Sequence, residues 1–574
     1  MSPARHRSRA SVRAVKPAAW TLALSICSSV CSCSAPGAAP LDGASPGGDG
    51  GAPADAAPGA DGGACSTPPA ADPLAAMRAS CTFAAGALAR DTLGLDDATR
   101  AQLPIRHIVV VMKENRAFDH LFGGLASERA DVETFPAGFT NPDASGASVA
   151  PFHLATTCVG QDPDHQWQAM HAQIDGGKMD GYVKSAASST GSDGHFALGY
   201  YTRADLPFYY FLADTFALAD HYFPSVRSGT FPNRDYLLLG TSDGVTATQF
   251  SVWPSPSLPT IFDRLDAAGV SWGVYGDDHA LEETLDNPAH DWETLHPWKP
   301  VHALLDAFAA DAVPSVVFVD GTENVQDEHP TADVQVGEAW TKALYDAAIA
   351  SKAWSSTVIL LTYDEAGGFF DHVPPPNTCV ARPTDSTFFE LGTRVPLIAI
   401  SPWARRHYVS KSVKQHTSIT RFIEAVFGVP ALTARDANSD GLLDLFDFGC
   451  PPAAIPAAPA AGTGGCAGPI LTLSKTSFAP GESIVVTFAN GPGNPKDWIA
   501  VYPKGVTPHS GSTIWSYVGG GHTASAGLTQ GTVTLDATSV NQASSWPLAV
   551  GSWTAFYLVN DGYSSIASIE FDVK

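Results

Sequence analysis

Two pairs of polar residues follow apolar stretches of the sequence. Glu114 and Asn115 come just after one apolar run, and Asp364 and Glu365 come directly after another. Each run is typical of a buried strand in an open α/β sheet, where functional groups gather at the carboxyl ends of the strands. Carboxylate and amide oxygens are ligands that hard divalent cations prefer. The pattern predicts a site for one divalent metal ion: calcium, magnesium, manganese or zinc. An acidic pair at a surface or a helix end is the structural alternative.

Thr230, in the segment SGTFPNR, is the candidate nucleophile. Pro232 suits the first turn of a helix that continues to Gly240, so Thr230 is expected at a helix amino terminus. Backbone N–H groups favour an anion there. A threonine hydroxyl needs a metal ion or a base to activate it at neutral pH, so we expect Thr230 also to contact the metal ion. Asn233 is expected to hold the site residues in position without contacting the metal ion or the substrate itself. The alternative is that Thr230 only caps the helix.

Five blocks of the sequence resemble, in order, the signature segments of a bacterial and plant phosphoesterase family that includes non-specific phospholipase C and acid phosphatases. They cover roughly residues 103–449 and read ENRAFDHLFG, TFPNRDYLLLGTSDG, DEHP, TYDEAGGFFDHVPPP and RVPLIAISPWAR. The resemblance implies a fold similar to alkaline phosphatase and a hydroxyl nucleophile held against a divalent metal. It implies a secreted phosphoesterase of the phospholipase C type, in which Thr230 forms a phosphothreonine intermediate that water hydrolyses. A threonine fits the phospholipase C branch better than a serine.

Histidines complete the expected site. The resemblance implies that His165 and His329 contact the phosphate or protonate the leaving group, and the sequence leaves the general acid open between them. His372 is expected to orient the loop that carries Asp364 and Glu365, with a buried structural histidine as the alternative. Three further histidines lie where relatives also carry an active-site histidine, and their alignment is left open: His279, His290 and His296.

Two other functions compete with the phospholipase C prediction. The first is an acid phosphatase, which would cleave phosphomonoesters with the same residues. The second is a surface-attached binding protein whose C-terminal aromatic residues contact a membrane or a polymer, although aromatic residues of a β-sandwich more often belong to its core. These residues are Trp498, Tyr502, Trp515, Tyr517, Trp546, Trp553, Tyr557 and Tyr563.

The charge balance restricts the partners. The chain has 33 Lys and Arg against 58 Asp and Glu, a formal net charge of -25 at pH 7. Nucleic-acid binding relies on an excess of Lys and Arg, so we expect no nucleic-acid partner. The expected partner is a phospholipid or a small phosphoester. We expect a monomer, with peripheral membrane contact only through a lipid anchor or the C-terminal domain.

The amino-terminal sequence predicts export. Basic residues followed by a short apolar core make residues 1–33 a secretory signal peptide, and Cys33 is a candidate for lipidation. The protein is therefore expected to be secreted or anchored at the cell envelope as a lipoprotein. Six further cysteines, an even number, favour disulfides, and Cys450 with Cys466 is the first pair that we expect.

The remaining pattern predicts two folded domains. Residues 34–72 have the Ala, Gly and Pro content of a disordered linker. Residues 73–450 alternate apolar runs with helical spacing, which predicts an α/β domain with a mostly parallel sheet covered by helices on both faces. The core strands are expected at 108–112, 271–275, 315–319, 358–363 and 395–400, and helices at 258–268, 338–350 and 417–427. After a second linker at 451–465, seven short alternating runs in 466–574 predict an Ig-like antiparallel β-sandwich.

Overall fold

The computed structural model describes residues 68–574, apart from positions 155, 250–253, 278–297, 451–453, 464–468, 492–494, 525–527, 529, 542–545, 560 and 564. The predicted signal peptide, Cys33 and nearly all of the first linker therefore lie outside the described residues, as do His279, His290 and His296.

A seven-stranded mixed sheet forms the centre of the α/β domain; its strands, in spatial order, are Tyr408–Ser410 (β12), Ala217–Ala219 (β6), Leu397–Ile400 (β11), Thr357–Tyr363 (β10), His107–Lys113 (β1), Val316–Val319 (β9) and Trp272–Tyr275 (β8). Only β11 runs antiparallel to its two neighbours, which confirms the predicted mostly parallel sheet and all five predicted core strands. The strands are β1 (His107–Lys113), β2 (Asn141–Pro142), β3 (Ser148–Val149), β4 (Phe152–His153), β5 (Gly199–Tyr200), β6 (Ala217–Ala219), β7 (Tyr222–Phe223), β8 (Trp272–Tyr275), β9 (Val316–Val319), β10 (Thr357–Tyr363), β11 (Leu397–Ile400), β12 (Tyr408–Ser410) and β13 (Lys414–Gln415).

The two central strands explain the unbroken apolar runs. Every residue of β10 is buried, and in β1 only His107 is partly exposed, because helices cover the sheet. A strand buried on both faces needs apolar side chains in both directions. The described α-helices are Ala75–Ala79, Ala89–Thr92, Asp97–Ala101, Phe118–Phe122, Trp167–Ile174, Tyr182–Thr190, Pro207–Thr215, Thr230–Leu239, Ile261–Ala267, Val301–Ala309, Val334–Ala350, His416–Phe427 and Ala434–Ala437.

The three predicted helices are present, with boundaries set by their caps. The helix predicted at 258–268 begins at Ile261, because Thr260 and Asp263 form a capping box there. The helix predicted at 338–350 begins earlier, at Val334, where the Asp333 side chain accepts a hydrogen bond from Gln335 N. Among the described residues, none of the helices is both long enough and apolar enough to cross a membrane.

The C-terminal segment forms two sheets around a core of its own, as predicted. Its strands are β14 (Ile470–Leu473), β15 (Ser477–Phe478), β16 (Ile484–Ala489), β17 (Trp498–Pro503), β18 (Ile514–Tyr517), β19 (Gly531–Leu535), β20 (Gly551–Leu558) and β21 (Ser565–Val573). The sheet orders are β14-β16-β19 and β15-β21-β20-β17-β18, and only β15 pairs in parallel, with β21. The first predicted run divides into β14 and β15, since the chain changes sheets between them.

A disulfide and a hydrogen bond connect the two ends of the α/β domain to its body. A disulfide joins Cys81 to Cys379. Cys158 and Cys450 are also disulfide-bonded, whereas Cys466, the partner expected for Cys450, lies outside the described residues. In the expected second linker, Gly462 N donates a hydrogen bond of 2.6 Å to Glu338 Oε2. That part of the chain therefore packs on the α/β domain.

Candidate functional site

The ends of β1 and β10 bring the two predicted polar pairs side by side. The strands are parallel neighbours in a register that places Lys113 opposite Tyr363. The next residue of each strand continues this pairing, because Asp364 N donates a hydrogen bond of 2.9 Å to Lys113 O. Asn115 N then donates a bond of 3.2 Å to Asp364 Oδ1. Adjacent parallel strands thus deliver both pairs to one edge of the sheet.

A glycine turn lets the two strand ends approach closely. Gly367 has a φ of 62°, and a Cβ at this position would lie 2.2 Å from Asn115 O. Its N–H donates a bond of 2.7 Å to Glu365 Oε2. Asn115 also has a left-handed backbone, with a φ of 64°, which asparagine tolerates better than most residues. A side chain at position 367 would force the Glu365 loop away from Asn115.

Arg234 connects the helix of Thr230 to the strand ends. Its guanidinium lies 2.9 Å from Glu114 Oε1, 2.9 Å from Asp320 Oδ1 and 3.4 Å from Asp364 Oδ2. Asp320 directly follows β9, so the ends of three neighbouring strands meet at this one side chain. Thr230 is the first residue of the helix Thr230–Leu239 and is buried. Residues four apart share one face of a helix, so Thr230 lies on the face that Arg234 turns to the carboxylates.

Asn233 holds the loop that leads into Thr230. Its side-chain oxygen accepts a bond of 3.0 Å from Val226 N, and its Nδ2 donates bonds to Ser228 O (2.7 Å) and Gly229 O (3.1 Å). A single buried amide thereby satisfies three backbone groups of one turn. Asn233 therefore holds the backbone of the loop that precedes Thr230, and its role in the site stays a prediction.

The two predicted histidines lie next to the strand ends. The rings of His165 and His329 are 6.1 Å apart. His165 Nε2 is 3.3 Å from Asn115 Nδ2 and 3.7 Å from Glu365 Oε1. Its Nδ1 donates to Pro163 O at 2.8 Å, which leaves Nε2 as the acceptor. His165 therefore presents no free N–H in this arrangement.

His329 has the opposite protonation preference. Its Nδ1 donates to Pro330 O at 2.5 Å, which turns Nε2 away from the backbone. Burial alone would lower the pKa of His329. The carboxylates of Asp162 and Glu114 raise it, and because the raising effects are together the larger, the pKa lies above its ordinary value. Burial lowers the pKa of His165 below its ordinary value. Of the two, His329 is the ring suited to carry a proton.

Several oxygen atoms at the strand ends fit a divalent cation. Asn115 Oδ1, Glu365 Oε1 and Asp320 Oδ2 are buried and have no hydrogen-bond partner. Burial raises the pKa of Glu114 to about 7 and the pKa of Glu365 well above its ordinary range. Glu114, Asp320 and Asp364 share the single guanidinium of Arg234, which leaves an excess of negative charge. Oxygen donors with such an excess are the environment that hard divalent cations require.

His372 lies in a different cluster. Its Nδ1 is 2.6 Å from Asp119 Oδ2, and Asp371 lies beside Asp119, so donor atoms of the three residues fall within 4.8 Å of one another. Three such donors could hold a metal ion. However, Arg394 is fully buried and pairs with Asp371 at 3.0 Å and with Asp119 at 3.1 Å, which compensates both carboxylates. The contacts of His372 are with this cluster and with Glu133, whose Oε1 lies 3.8 Å from His372 Nε2.

The sequence interpretation missed three residues of the site. Arg234 stands four residues after Thr230, and this helical spacing could have revealed it. Asp320 follows the run 315–319 in the same way that Asp364 follows its own strand. His416 gave no such signal: its Nε2 donates to Asp364 O at 2.6 Å, its Nδ1 accepts from Tyr222 OH at 2.8 Å, and burial lowers its pKa to about 3.

Comparison with known proteins identifies the family. The phosphoesterase family matches residues 105–430. Phospholipase C A of Mycobacterium tuberculosis is 33% identical over 411 residues, which cover 61% of this chain and 78% of the relative. Non-specific phospholipase C1 of Arabidopsis thaliana is 31% identical over 380 residues, which cover 59% and 70%.

A more distant similarity exists among solved structures. A protein in the alkaline phosphatase superfamily from Vibrio parahaemolyticus aligns over 65% of this chain and 83% of its own length, with 9% identity and a TM-score of 0.29. The phosphoesterase family, by contrast, matches more than half of the chain. The matched residues include both strand ends, Thr230 and the two histidines. The chain belongs to the phosphoesterase family and is a phosphoric ester hydrolase.

Proposed function

We propose that this protein is an exported, metal-dependent phosphodiesterase of the phospholipase C type, with Thr230 as its nucleophile. One observation carries the proposal: Arg234, one helical turn after Thr230, bonds to Glu114, Asp320 and Asp364 at the ends of three strands. Relatives named as phospholipases C support the reaction class. The disulfide between Cys81 and Cys379 supports export, since disulfides persist mainly outside the cytosol.

The residues at the strand ends bind and orient the phosphoester. Glu114, Asn115, Asp364 and Glu365, together with the Thr230 hydroxyl, would hold a divalent cation. When bound, such a cation supplies Lewis-acid polarisation and charge neutralisation at the phosphoryl group. The amino terminus of the helix Thr230–Leu239 offers backbone N–H groups to the non-bridging oxygens of the phosphate. Asn233 and Arg234 keep this helix end in place, so catalysis depends mainly on positioning and electrostatics.

The reaction proceeds in two displacements. Thr230 Oγ1 attacks phosphorus and loses its proton to water, while the bond between phosphorus and the diacylglycerol oxygen breaks. His329 Nε2 gives a proton to that oxygen. Water then attacks the phosphothreonine, His329 takes a proton from this water, and Thr230 Oγ1 regains a proton from solvent as the phosphorylated headgroup leaves. His165 accepts a hydrogen bond from Asn115 and fixes its amide, which orients the oxygen Oδ1.

Substitution of Thr230 tests the nucleophile. Thr230→Val removes the hydroxyl and keeps the shape, so we expect loss of nearly all turnover with an unchanged fold. Thr230→Ser keeps a hydroxyl and should retain a substantial part of the activity. Acid quenching during turnover should trap a phosphorylated peptide that contains residue 230 in the wild type and in Thr230→Ser, and should trap none in Thr230→Val. More than a tenth of wild-type turnover in Thr230→Val would overturn the assignment.

A substrate comparison tests the reaction class. We expect diacylglycerol release from phosphatidylcholine to exceed phosphate release from p-nitrophenyl phosphate at equal enzyme concentration. The reverse ranking would make the protein an acid phosphatase that uses the same nucleophile. Turnover of neither substrate, with an intact fold and bound metal, would favour the surface-attached binding protein.

A further inference from the structure

A pocket in the C-terminal domain has the composition of a ligand site. It has a volume of about 300 Å³ and lies beside β17 and β18. Its walls include four aromatic side chains, Trp498, Trp515, Tyr517 and Tyr563, together with the polar side chains of Asp561 and Asn541. Trp498 is mostly buried, whereas Tyr563 is 44% exposed. The pocket is therefore anchored in the sandwich and open on one side to solvent.

The aromatic rings stand at right angles to one another. Trp498 meets Trp515 at a centroid distance of 5.5 Å and an angle of 82°, and meets Tyr563 at 5.8 Å and 77°. Trp515 meets Tyr517 at 5.1 Å and 88°. Rings arranged in this way enclose a volume on several sides, whereas a binding platform for a flat ligand needs one open ring face. The geometry is that of a box lined by π-systems.

Hydrogen bonds fix the box in place. Trp498 Nε1 donates to Gly562 O at 3.1 Å, and Tyr517 OH donates to Asp561 Oδ1 at 2.6 Å. Both bonds hold the loop that carries Asp561 and Tyr563 against β17 and β18. The imidazole of His522 stacks on Trp515 at 4.2 Å and supports the indole. The pocket is thus formed before any ligand arrives.

Asp561 gives the pocket a negative charge. Burial alone would raise its pKa. Hydrogen bonds from Lys496 and Tyr517 lower it, and because the lowering effects are together the larger, the pKa lies below its ordinary value. The second oxygen, Oδ2, pairs with the exposed Lys496 at 2.8 Å. Part of the charge is therefore compensated from the solvent side. An anionic ligand is disfavoured, because both the carboxylate and the ring faces repel negative charge.

We propose that this aromatic pocket binds a quaternary ammonium cation, such as the trimethylammonium group of choline. Such a group is bulky and weakly hydrated, cannot donate hydrogen bonds, and is attracted to the faces of Trp and Tyr rings. A primary ammonium group would need several free acceptors around it, whereas the carboxylate of Asp561 already accepts from Tyr517 and pairs with Lys496. The cation can belong to a choline headgroup on a membrane or to a free quaternary ammonium solute. The proposal does not depend on the catalytic one, since the pocket is formed by residues of the C-terminal domain alone.

Binding of choline to the full-length protein tests the proposal. Saturation-transfer NMR on the methyl signal detects binding, and tryptophan fluorescence gives the affinity. We expect choline and tetramethylammonium to bind, and 3,3-dimethylbutan-1-ol, a neutral molecule of the same shape as choline, to bind at least tenfold more weakly. Equal affinity for choline and the neutral analogue, or no binding of either, would overturn the proposal.

Variants locate the binding at this pocket. Trp515→Ala and Tyr563→Ala should each weaken choline binding at least tenfold, and Asp561→Asn should weaken it less, because Lys496 already compensates part of the charge. Phe152→Ala, which removes an exposed aromatic ring of the catalytic domain, is the matched control and should change nothing. Unchanged affinity in Tyr563→Ala, whose ring is the most exposed of the four, would also overturn the proposal without any concern about folding.

Vesicles distinguish the two sources of the cation. In the Thr230→Val background, which avoids hydrolysis, we expect co-sedimentation with phosphatidylcholine vesicles to exceed that with phosphatidylglycerol vesicles. If the pocket binds lipid headgroups, adding Trp515→Ala should remove the difference in co-sedimentation between the two kinds of vesicle. If free choline binds at the pocket and the vesicle difference is absent, the ligand is a soluble quaternary ammonium compound. Failure of turnover with intact choline binding would count against the catalytic proposal alone.

Discussion

His120 shows how one buried side chain makes stability depend on pH. The ring is fully buried, its Nδ1 donates to Gly199 O at 2.7 Å, and its Nε2 accepts from Arg116 at 3.2 Å. Burial and the neighbouring guanidinium lower the pKa of His120 well below its usual 6.5. Below pH 6.5 the imidazole of His120 binds a proton in the unfolded chain, whereas in the folded protein it stays neutral. Stability from this residue is therefore complete above pH 6.5 and is lost as the pH falls.

We expect the unfolding free energy to decrease as the pH falls below 6.5, because His120 contributes a slope of up to about 1.4 kcal/mol for each pH unit. His120→Asn, which keeps a donor near Nδ1, should flatten the pH dependence by about one proton. Urea unfolding at a series of pH values measures the effect, with the exposed His302→Asn as control. The same slope in His120→Asn and in the wild type would contradict the prediction.

Glu365 distinguishes the two acidic clusters that could hold the proposed metal ion. Its Oε1 is buried without a hydrogen-bond partner, whereas the carboxylates beside His372 are paired with Arg394. We expect elemental analysis of the desalted protein to find about one divalent ion for each chain. Glu365→Gln should lose most of this metal, and Glu482→Gln, at a partly exposed position of the C-terminal domain, should keep it. Loss of metal in His372→Asn with retention in Glu365→Gln would move the site to the second cluster.

At the scale of the element, the packing of the helix Val334–Ala350 requires a glycine at position 337. A Cβ at Gly337 would lie 2.2 Å from Glu328 Cγ. Glu328 cannot move aside, because it pairs with Lys113 at 2.5 Å and accepts hydrogen bonds from Tyr209 and Tyr363. This buried network fixes the helix against β1 and β10, two strands that end at the site.

Gly337→Ala should therefore destabilise the protein. In an unhindered helix this change gains about 1 kcal/mol, but overpacking here should outweigh the gain and give a net loss of about 1–3 kcal/mol. Ala343→Gly, at an exposed position of the same helix, gives the scale of the intrinsic helix preference and should cost about 1 kcal/mol. Thermal unfolding of both variants measures the difference. A higher melting temperature for Gly337→Ala would refute the proposed clash.

Strands and helices could be predicted from the sequence where their burial produces a recognisable spacing of apolar residues. The five core strands are apolar in both directions because both faces of the sheet are covered, and Asp364 and Glu114 follow such runs directly. The helical spacing places Arg234 on the face of Thr230, but the carboxylates that it binds lie 86 to 130 residues away in the chain, so the sequence does not reveal these partners. The same is true of Arg394, whose partner Asp119 is 275 residues distant. Pairings of this kind leave no periodic signal, and only the folded chain reveals them.

At the scale of the whole molecule, one disulfide closes most of the catalytic domain. Cys81 and Cys379 are separated by 298 residues, so the bond restricts a very long loop of the unfolded chain. Cys81→Ser combined with Cys379→Ser should lower the unfolding free energy by about 2–5 kcal/mol. Chemical unfolding under oxidising conditions measures the loss. An unfolding midpoint equal to that of the wild type would show that native packing alone secures the segment around Cys81.

The bond between Gly462 and Glu338 determines where the polypeptide can be shortened. Glu338 Oε1 accepts from Phe208 N and Tyr209 N, and Oε2 accepts from Gly462 N. Burial raises the pKa of Glu338 to about 7 in spite of these donors. A shortened protein that stops at residue 450 would strip one oxygen of its donor, whereas one that stops after residue 463 would retain it. The longer version is the one to express when the hydrolase is studied without its sandwich.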